Sequence, residues 1–306
     1  MIVVFGSINL DLVARVPRLP RPGETLCGST LAALPGGKGA NQALAARLAG
    51  ADVALVGAVG RDAFAGPAQA GLHAAGVDMS AVAAVDAPTG VALIHIDDAG
   101  ENAITVIAGA NAAARATAIT PAQWSRATLL LLQLEVPVTQ VTEAAREARG
   151  RGIRVVLNAA PMQALPQGLL DTIDVLVVNE IEVEALARQC GINAAKDSIA
   201  AALCGHLGID VVQTEGARGA RFAAAGWHGH ARPPASAIVD STGAGDAFTG
   251  ALASALDRRL AWPEALAFAV AAGTLACGGI GAQSALADGI TIASFAARVE
   301  SSGRPS

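Results

Sequence analysis

Residues 241–250, STGAGDAFTG, set a glycine-rich turn against a lone aspartate and then run into an apolar, alanine-rich stretch. Gly243, Ala244 and Gly245 can turn tightly where a helix begins, so that their N–H groups form an anion cradle at its positive end. Asp246 then falls in the first turn. There it could take the proton of a hydroxyl that attacks a phosphoryl group held by the cradle. Taken alone, the pattern also reads as a helix start whose acid merely complements the dipole, so its neighbours in the fold must decide.

Other polar residues stand where apolar runs end. Asn9 and Asp11, in GSINLD (6–11), offer the donor and acceptor types that sugar hydroxyls need, although turn capping explains them equally well. PGGKGANQALAA (35–46) puts glycines where backbone can approach a ligand, with Lys38 in the loop and Asn41 at a helix start; a solvated lysine and an N-cap are the alternative. Glu135 closes the apolar LLLLQLEVP either as a helix-capping partner or as a bidentate acceptor for two hydroxyls. Asn179 and Glu182, spaced N-x-x-E in VLVVNEIEVEAL, form a capping pair or face Mg²⁺ and its waters. In VVQTEGARGA (211–220), Thr214 and Gly216 could meet a nucleotide phosphate, and a hairpin turn accounts for the same glycines.

The elements that must hold these residues follow from periodicity. Short, near-continuous apolar runs at 2–5, 53–59, 129–134, 153–157, 175–178 and 209–213 have the character of strands buried on both faces. Alanine-rich segments at helical spacing lie between them, among them 41–48, 139–148 and 182–188. The alternation predicts an α/β fold with a mostly parallel, doubly wound sheet, whose ligands gather beyond the carboxyl ends of the strands. Residues 11–34 and 88–107 break the pattern with alternating strands and turn signals, and are expected to form an antiparallel flap outside the main sheet. The expectation is one α/β core over 1–300, interrupted by that flap, with a disordered tail at 301–306.

Several classes are set aside. The 306 residues carry a formal net charge of −5 and no Lys/Arg run, which argues against nucleic acid as a partner. Mean hydropathy is +0.47, yet the best membrane candidate, ALAFAVAAGTLACGGIG (265–281), is short and rich in Ala and Gly, so it reads as a buried helix. Cys27, Cys190, Cys204 and Cys277 are scattered without metal-ligand spacing and are expected to be buried free thiols. The start MIVVFGS lacks an export signal, giving a cytoplasmic expectation. GGKGAN is no Walker A motif, because Gly39 follows Lys38; GAGDAF is no dinucleotide fingerprint, because Phe248 stands where the third glycine belongs.

Taken in order, GSINLD, PGET, GGKGANQA, TGVALI, GENAITVIAGAN, QLEVP, LNAAP, NEIE, TEGARG, DSTGAGDAFTGAL and GAQSA resemble the ribokinases of the PfkB group of sugar kinases, across nearly the whole chain. The resemblance implies a ribokinase-like three-layer sandwich with a mostly parallel central sheet and a small antiparallel β-lid, the two flap segments. Lids of this kind often pair into a homodimer. It also implies transfer of the ATP γ-phosphoryl group to D-ribose, giving ribose 5-phosphate and ADP. By the matching motifs Asp246 is the base and Gly243, Ala244 and Gly245 the anion hole; Asn9, Asp11, Gly37, Lys38, Asn41 and Glu135 bind sugar. Asn179, Thr214, Gly216, Ala217, Arg218, Gly219 and Gly245 bind ATP, and Glu182 serves Mg²⁺. Activating K⁺ is implied at Asp240, Thr242, Ala276, Gly279 and Gly281, but GAQSA carries Ala285 where the group has a side-chain ligand. Aromatic residues make up 3% of the chain, Tyr is absent and neither flap holds Phe or Trp. A small hydroxyl-rich substrate is therefore favoured over a nucleoside; fructose or 2-keto-3-deoxygluconate as acceptor, or a non-catalytic sugar sensor, are the alternatives.

Overall fold

A computed structural model describes residues 1–224 and 226–305. Its strands are β1 (Ile2–Phe5), β2 (Asn9–Arg15), β3 (Thr30–Gly36), β4 (Val53–Gly60), β5 (Asp78–Val85), β6 (Gly90–Ile96), β7 (Asn102–Ile107), β8 (Leu129–Leu132), β9 (Arg154–Asn158), β10 (Val175–Asn179), β11 (Asp210–Thr214), β12 (Ala220–Ala224), β13 (Trp227–Arg232) and β14 (Glu300–Pro305). The α-helices are α1 (Lys38–Leu48), α2 (Ala65–Ala74), α3 (Pro121–Arg126), α4 (Val138–Gly150), α5 (Gln167–Leu170), α6 (Glu180–Gln189), α7 (Ile199–Leu207), α8 (Ala244–Asp257), α9 (Trp262–Ala276) and α10 (Gly289–Ala296).

Ten strands form the central sheet in the order β14-β13-β12-β11-β10-β9-β8-β1-β4-β5. Pairing is parallel from β11 through to β5 and antiparallel at the β12–β14 end. Because strand side chains alternate, β1 and β8 feed two cores: Ile2, Val4, Leu129 and Leu131 pack on the side of α1, α8 and α9. Val3, Phe5, Leu130 and Leu132 pack on the side of α4, α6 and α7. The three layers follow from that alternation. β1 lies between β8 and β4, so the chain leaves it in opposite directions, and the crevice at its carboxyl end is where an α/β sheet receives ligands.

The second sheet, in the order β3-β2-β6-β7, is built from the two flap segments. Its outer pairings β2–β3 and β6–β7 are antiparallel, while β2 and β6 at its centre run parallel. β2 starts four residues after β1, so the sheet stands directly over the carboxyl end of the central strand.

Three expectations need correction. Residues 301–305 are no disordered tail: they complete β14, paired with β13 from Trp227 to Arg232, because an open sheet edge recruits backbone whatever the side chains; Ser306 lies outside the described residues. The cysteines are free but not core residues. Cys27 is exposed in the segment before β3, and Cys190, Cys204 and Cys277 are partly buried near helix ends. Lys38 is not in a loop: Gly37, at φ 88°, ends the turn, and α1 begins at Lys38 with Asn41 inside its first turn. The 265–281 segment is mostly the buried helix α9, which stops at Ala276 before the glycines, and among the described residues no helix is long and apolar enough to cross a membrane.

Candidate active site

Helix α8 starts in the left-handed turn at Gly243, whose φ is 76°. A methyl group there would begin 2.6 Å from Ala282, so the turn requires glycine twice over. Gly245 differs, since a side chain there would meet nothing within 4 Å. The free N–H end of α8 therefore opens onto empty space, with Asp246 buried in its first turn.

One turn further on, Gly250 lets α1 press against α8: a side chain there would begin 2.5 Å from the carbonyl oxygen of Gln42. That approach carries the first turn of α1 onto Asp246. Asn41 Nδ2 donates to Asp246 Oδ2 at 3.0 Å and Gln42 Nε2 to Oδ1 at 2.8 Å. Lys38 Nζ stands 3.9 Å from Oδ1. Asp246 foremost holds the Lys38 ammonium above its ordinary value, against its burial, with Glu135 and Glu182 adding to the effect. Asp246 thus faces a fixed cation and two amide donors.

The sugar-side residues converge beside it. Glu135 Oε2 accepts from the backbone N–H of Lys38 at 3.0 Å and from Ser7 Oγ at 2.5 Å. Asp11 is pushed up to about 7, first by burial and then by the charges of Glu135 and Asp246. Its carboxylate lies directly over Gly36. Asn9 Oδ1 accepts from Asn111 Nδ2 at 2.7 Å, and Asn111 Oδ1 accepts from the N–H of Ile8 at 2.9 Å. Asn9, Asp11, Gly37, Lys38, Asn41, Glu135 and Asp246 therefore form one cluster, as their motifs suggested. Asn111, Ser7 and Gln42 belong to it as well; the quoted motifs contain all three, but nothing in their spacing marks them.

On the other side of the α8 N-terminus lies a cavity of about 500 Å³. Thr214, Gly216, Ala217, Gly219, Ala244 and Gly245 contribute to its wall, and Phe248 and Val270 line its apolar side. The Gly216–Arg218 turn joins antiparallel β11 and β12, so the hairpin and the cavity wall are the same piece of chain. Two residues expected on the nucleotide side have protein partners of their own. Arg218 turns away to pair with Glu180 and is not among the residues lining the cavity, because Glu180 offers a carboxylate at the start of α6. Asn179 caps α6: its Oδ1 accepts from Ile181 and Glu182 N–H, each at 2.9 Å, and Glu182 Oε2 returns a bond from Asn179 N–H at 2.8 Å. The capping alternative for N-x-x-E holds in full. Glu182 nonetheless keeps a role to play, since its carboxyl is raised by burial and senses the charges of Lys38 and Asp246.

At the loop facing α8, Asp240 Oδ1 accepts from Thr242 N–H at 2.9 Å and Thr242 Oγ1 at 2.7 Å, and Oδ2 from Gly281 N–H at 2.9 Å. Burial acts against the Asp240 charge, but those donors outweigh it and hold the carboxyl below its ordinary value. A side chain at Gly279 would begin 2.7 Å from Ala285 Cβ, so these two positions are in contact.

The site thus sets a polar cluster and a largely apolar cavity on either side of a carboxylate at a helix terminus. The family model for pfkB family carbohydrate kinases matches residues 1–288. The chain belongs to the PfkB family of carbohydrate kinases. Its chemistry is that of the family, phosphoryl transfer to a sugar hydroxyl. This carbohydrate kinase is 36% identical over 292 residues to the ribokinase of Haemophilus influenzae, covering 93% of this chain and 94% of that one. It is 35% identical to the Bacillus subtilis ribokinase over 290 residues, covering 92% and 94%. Among solved structures, the Arabidopsis thaliana ribokinase complexed with ribose and ATP superposes with TM-score 0.87 at 32% identity, covering 96% of the kinase and 98% of that chain. The nucleoside kinase of Burkholderia thailandensis, in complex with inosine, shares the fold at TM-score 0.81 with 20% identity, covering 95% and 94%.

Proposed function

We propose that this kinase phosphorylates the 5-hydroxyl of D-ribose with ATP, giving ribose 5-phosphate and ADP. The observation that carries the reading is Asp246: a carboxylate gripped by Asn41 and Gln42, at the open N-terminus of α8 between the sugar-side cluster and the cavity. The similarity to ribokinases over more than nine-tenths of the chain supports ribose as acceptor. The scarcity of aromatic residues argues against a nucleoside base.

In this reading Asn9, Asp11, Asn41 and Glu135, with the Gly37–Lys38 backbone, hold the sugar hydroxyls. Asp246 takes the proton of the 5-hydroxyl as its oxygen bonds to the γ-phosphorus and the bond to the ADP oxygen breaks. The N–H groups of Gly243, Ala244 and Gly245 and the Lys38 ammonium face the charge that gathers on the phosphoryl oxygens. Thr214, Gly216, Ala217 and Gly219 cradle the nucleotide, with Asn179 anchoring the neighbouring strand end. The four-stranded sheet acts as the lid that excludes water while the 1–300 region forms the core. Its exposed Leu31, Ile104 and Val106 support pairing with the lid of a second copy. The cytoplasm is the compartment in which ATP and free thiols would be found together.

The residues present fit two ions. Mg²⁺ keeps most of its water and needs few protein ligands, and Glu182 offers a buried carboxylate whose charge it would compensate; bound there with the nucleotide, it would neutralise phosphate charge. K⁺ fits the loop of Asp240, Thr242, Ala276, Gly279 and Gly281, where the Asp240 carboxylate is kept ionised. Ala285 supplies only a methyl group.

The test is ADP release with Mg·ATP across ribose, 2-deoxyribose, fructose, 2-keto-3-deoxygluconate and adenosine, each with and without K⁺. Selective turnover of ribose is expected; preferred turnover of another acceptor overturns the ribose assignment, and binding without turnover of any overturns the kinase reading.

A further inference from the structure

Each oxygen of Asp246 ends a chain of side-chain amides. Gln42 Nε2 donates to Oδ1 at 2.8 Å, and Gln133 Nε2 donates to Gln42 Oε1 at 2.7 Å. Asn41 Nδ2 donates to Oδ2 at 3.0 Å, and Gln283 Nε2 donates to Asn41 Oδ1 at 2.9 Å. Gln42 Nε2 also donates to Asn158 Oδ1 at 3.0 Å, and Asn158 Nδ2 to the carbonyl of Val177 at 3.2 Å. The carboxylate is thereby registered on the ends of β8 and β9, the strands beside the sugar-side cluster.

The direction of these chains is dictated by one charge. An ionised carboxylate only accepts hydrogen bonds, so Asn41 and Gln42 must turn their nitrogens to it and their oxygens outward. Those oxygens then need donors, which fixes the nitrogens of Gln133 and Gln283 inward. The consequence is visible at the far ends: Oε1 of both Gln133 and Gln283 is buried with no hydrogen-bond partner among the described residues. A buried orphan acceptor destabilises a fold. Reversing either outer amide would instead oppose two acceptors inside the chain, so the orphans are the mark of a network built to deliver donors to Asp246.

Gln42 and Gln133 are both fully inaccessible to solvent, so neither can touch a sugar or a nucleotide. We infer that the relays Gln133–Gln42 and Gln283–Asn41 fix the Asp246 carboxylate and aim its remaining lone pairs at the acceptor hydroxyl, with Gln42 as the principal positioning residue. This rests on the proposed role of Asp246 as base. The other charges that act with Asp246 are Lys38 on α1, Asp11 on β2 and Glu182 on α6, and none is altered by the changes below.

Gln42→Met keeps the length of the side chain and removes its donors. A hydrogen bond to a charged group corresponds to roughly a 10- to 100-fold effect. The expected result is a fall in kcat of about that size, with KM for ribose and for ATP within about threefold, and an Asp246 carboxyl ¹³C NMR resonance, assigned with Asp246→Asn, moved from its wild-type position by the lost donor. Gln133→Met leaves both direct donors to Asp246 in place and keeps the test available if Gln42→Met does not fold; a smaller fall in kcat, again without a change in KM, is expected. Unchanged kcat, a loss confined to KM, or an unmoved carboxyl resonance overturns the inference. Should the wild-type chain turn over no sugar, the resonance still reports on the relays, so failure of the kinase reading and failure of this one remain distinct.

Discussion

The carboxylate of Asp11 occupies the space over Gly36: a side chain at position 36 would begin 2.3 Å from both of its oxygens. β2 and β3 pair Asp11 with Leu34 and Asn9 with Gly36, so the strand register of the small sheet delivers the proposed sugar-binding acid onto a residue that must lack a side chain. Gly36→Ala is therefore expected to displace Asp11 and raise the ribose KM at least about tenfold, the scale of one lost hydrogen bond to a charged group. The ATP KM should stay within about threefold; a ribose KM equal to wild type would show that Asp11 does not grip the sugar.

Asp11 also sets a pH dependence. With its carboxyl raised to about 7 by burial and by Glu135 and Asp246, it is protonated below that pH and an acceptor of sugar hydroxyls above it. kcat/KM for ribose should climb through pH 7 and level off above, and Asp11→Asn should remove that inflection along with most of the affinity. Stability runs the opposite way. The folded chain keeps this proton up to about 7 while the unfolded chain releases it near 3.8, so the contribution is full below the lower value and lost as pH rises through the upper one. Thermal melts of the sugar-free protein at pH 5 and 8, compared with those of Asp11→Asn, measure it.

Two glycines of one turn should fail differently. Gly243→Ala forces a left-handed residue and a clash with Ala282, so both Tm and kcat should fall, the latter by about 10²-fold as for a lost oxyanion donor. Gly245→Ala meets no protein atom; Tm should hold while kcat/KM for ATP drops, because the new methyl group enters the phosphate space. Equal Tm losses in the two variants would mean that position 245 is structural.

Ala285 touches Gly279 where the family resemblance has a side-chain ligand for K⁺. Ala285→Ser should lower the K⁺ concentration for half-maximal activation by about fivefold, the scale of one added neutral ligand. No change on titrating K⁺ into the assay would place the cation elsewhere.

Much of this site was legible because turn chemistry and strand ends announce themselves locally. Gly243 to Asp246, Gly216 and Gly37 do their work through backbone geometry within a few residues, and the apolar runs before Asn9 and Glu135 fixed which ends of the strands they occupy. Gln42, Gln133 and Gln283 carry no such signal. Gln42 meets Asp246 across 204 residues of chain, where α1 approaches α8 at Gly250, and Gln283 meets Asn41 across 242, contacts that no local spacing announces. Arg218 shows what a motif leaves out, since its side chain pairs with Glu180 on another element. The polar 301–305 stretch misled because β13 offers an edge that pairs with backbone alone.

The central claim is that Asp246 takes the proton from the acceptor hydroxyl. The direct measurement is ADP release with Mg·ATP and saturating ribose for wild type and Asp246→Asn, alongside calorimetric ribose binding to each. A fall in kcat of at least about 10²-fold, with ribose still bound by a folded protein, is the expected result; turnover near that of wild type would contradict it.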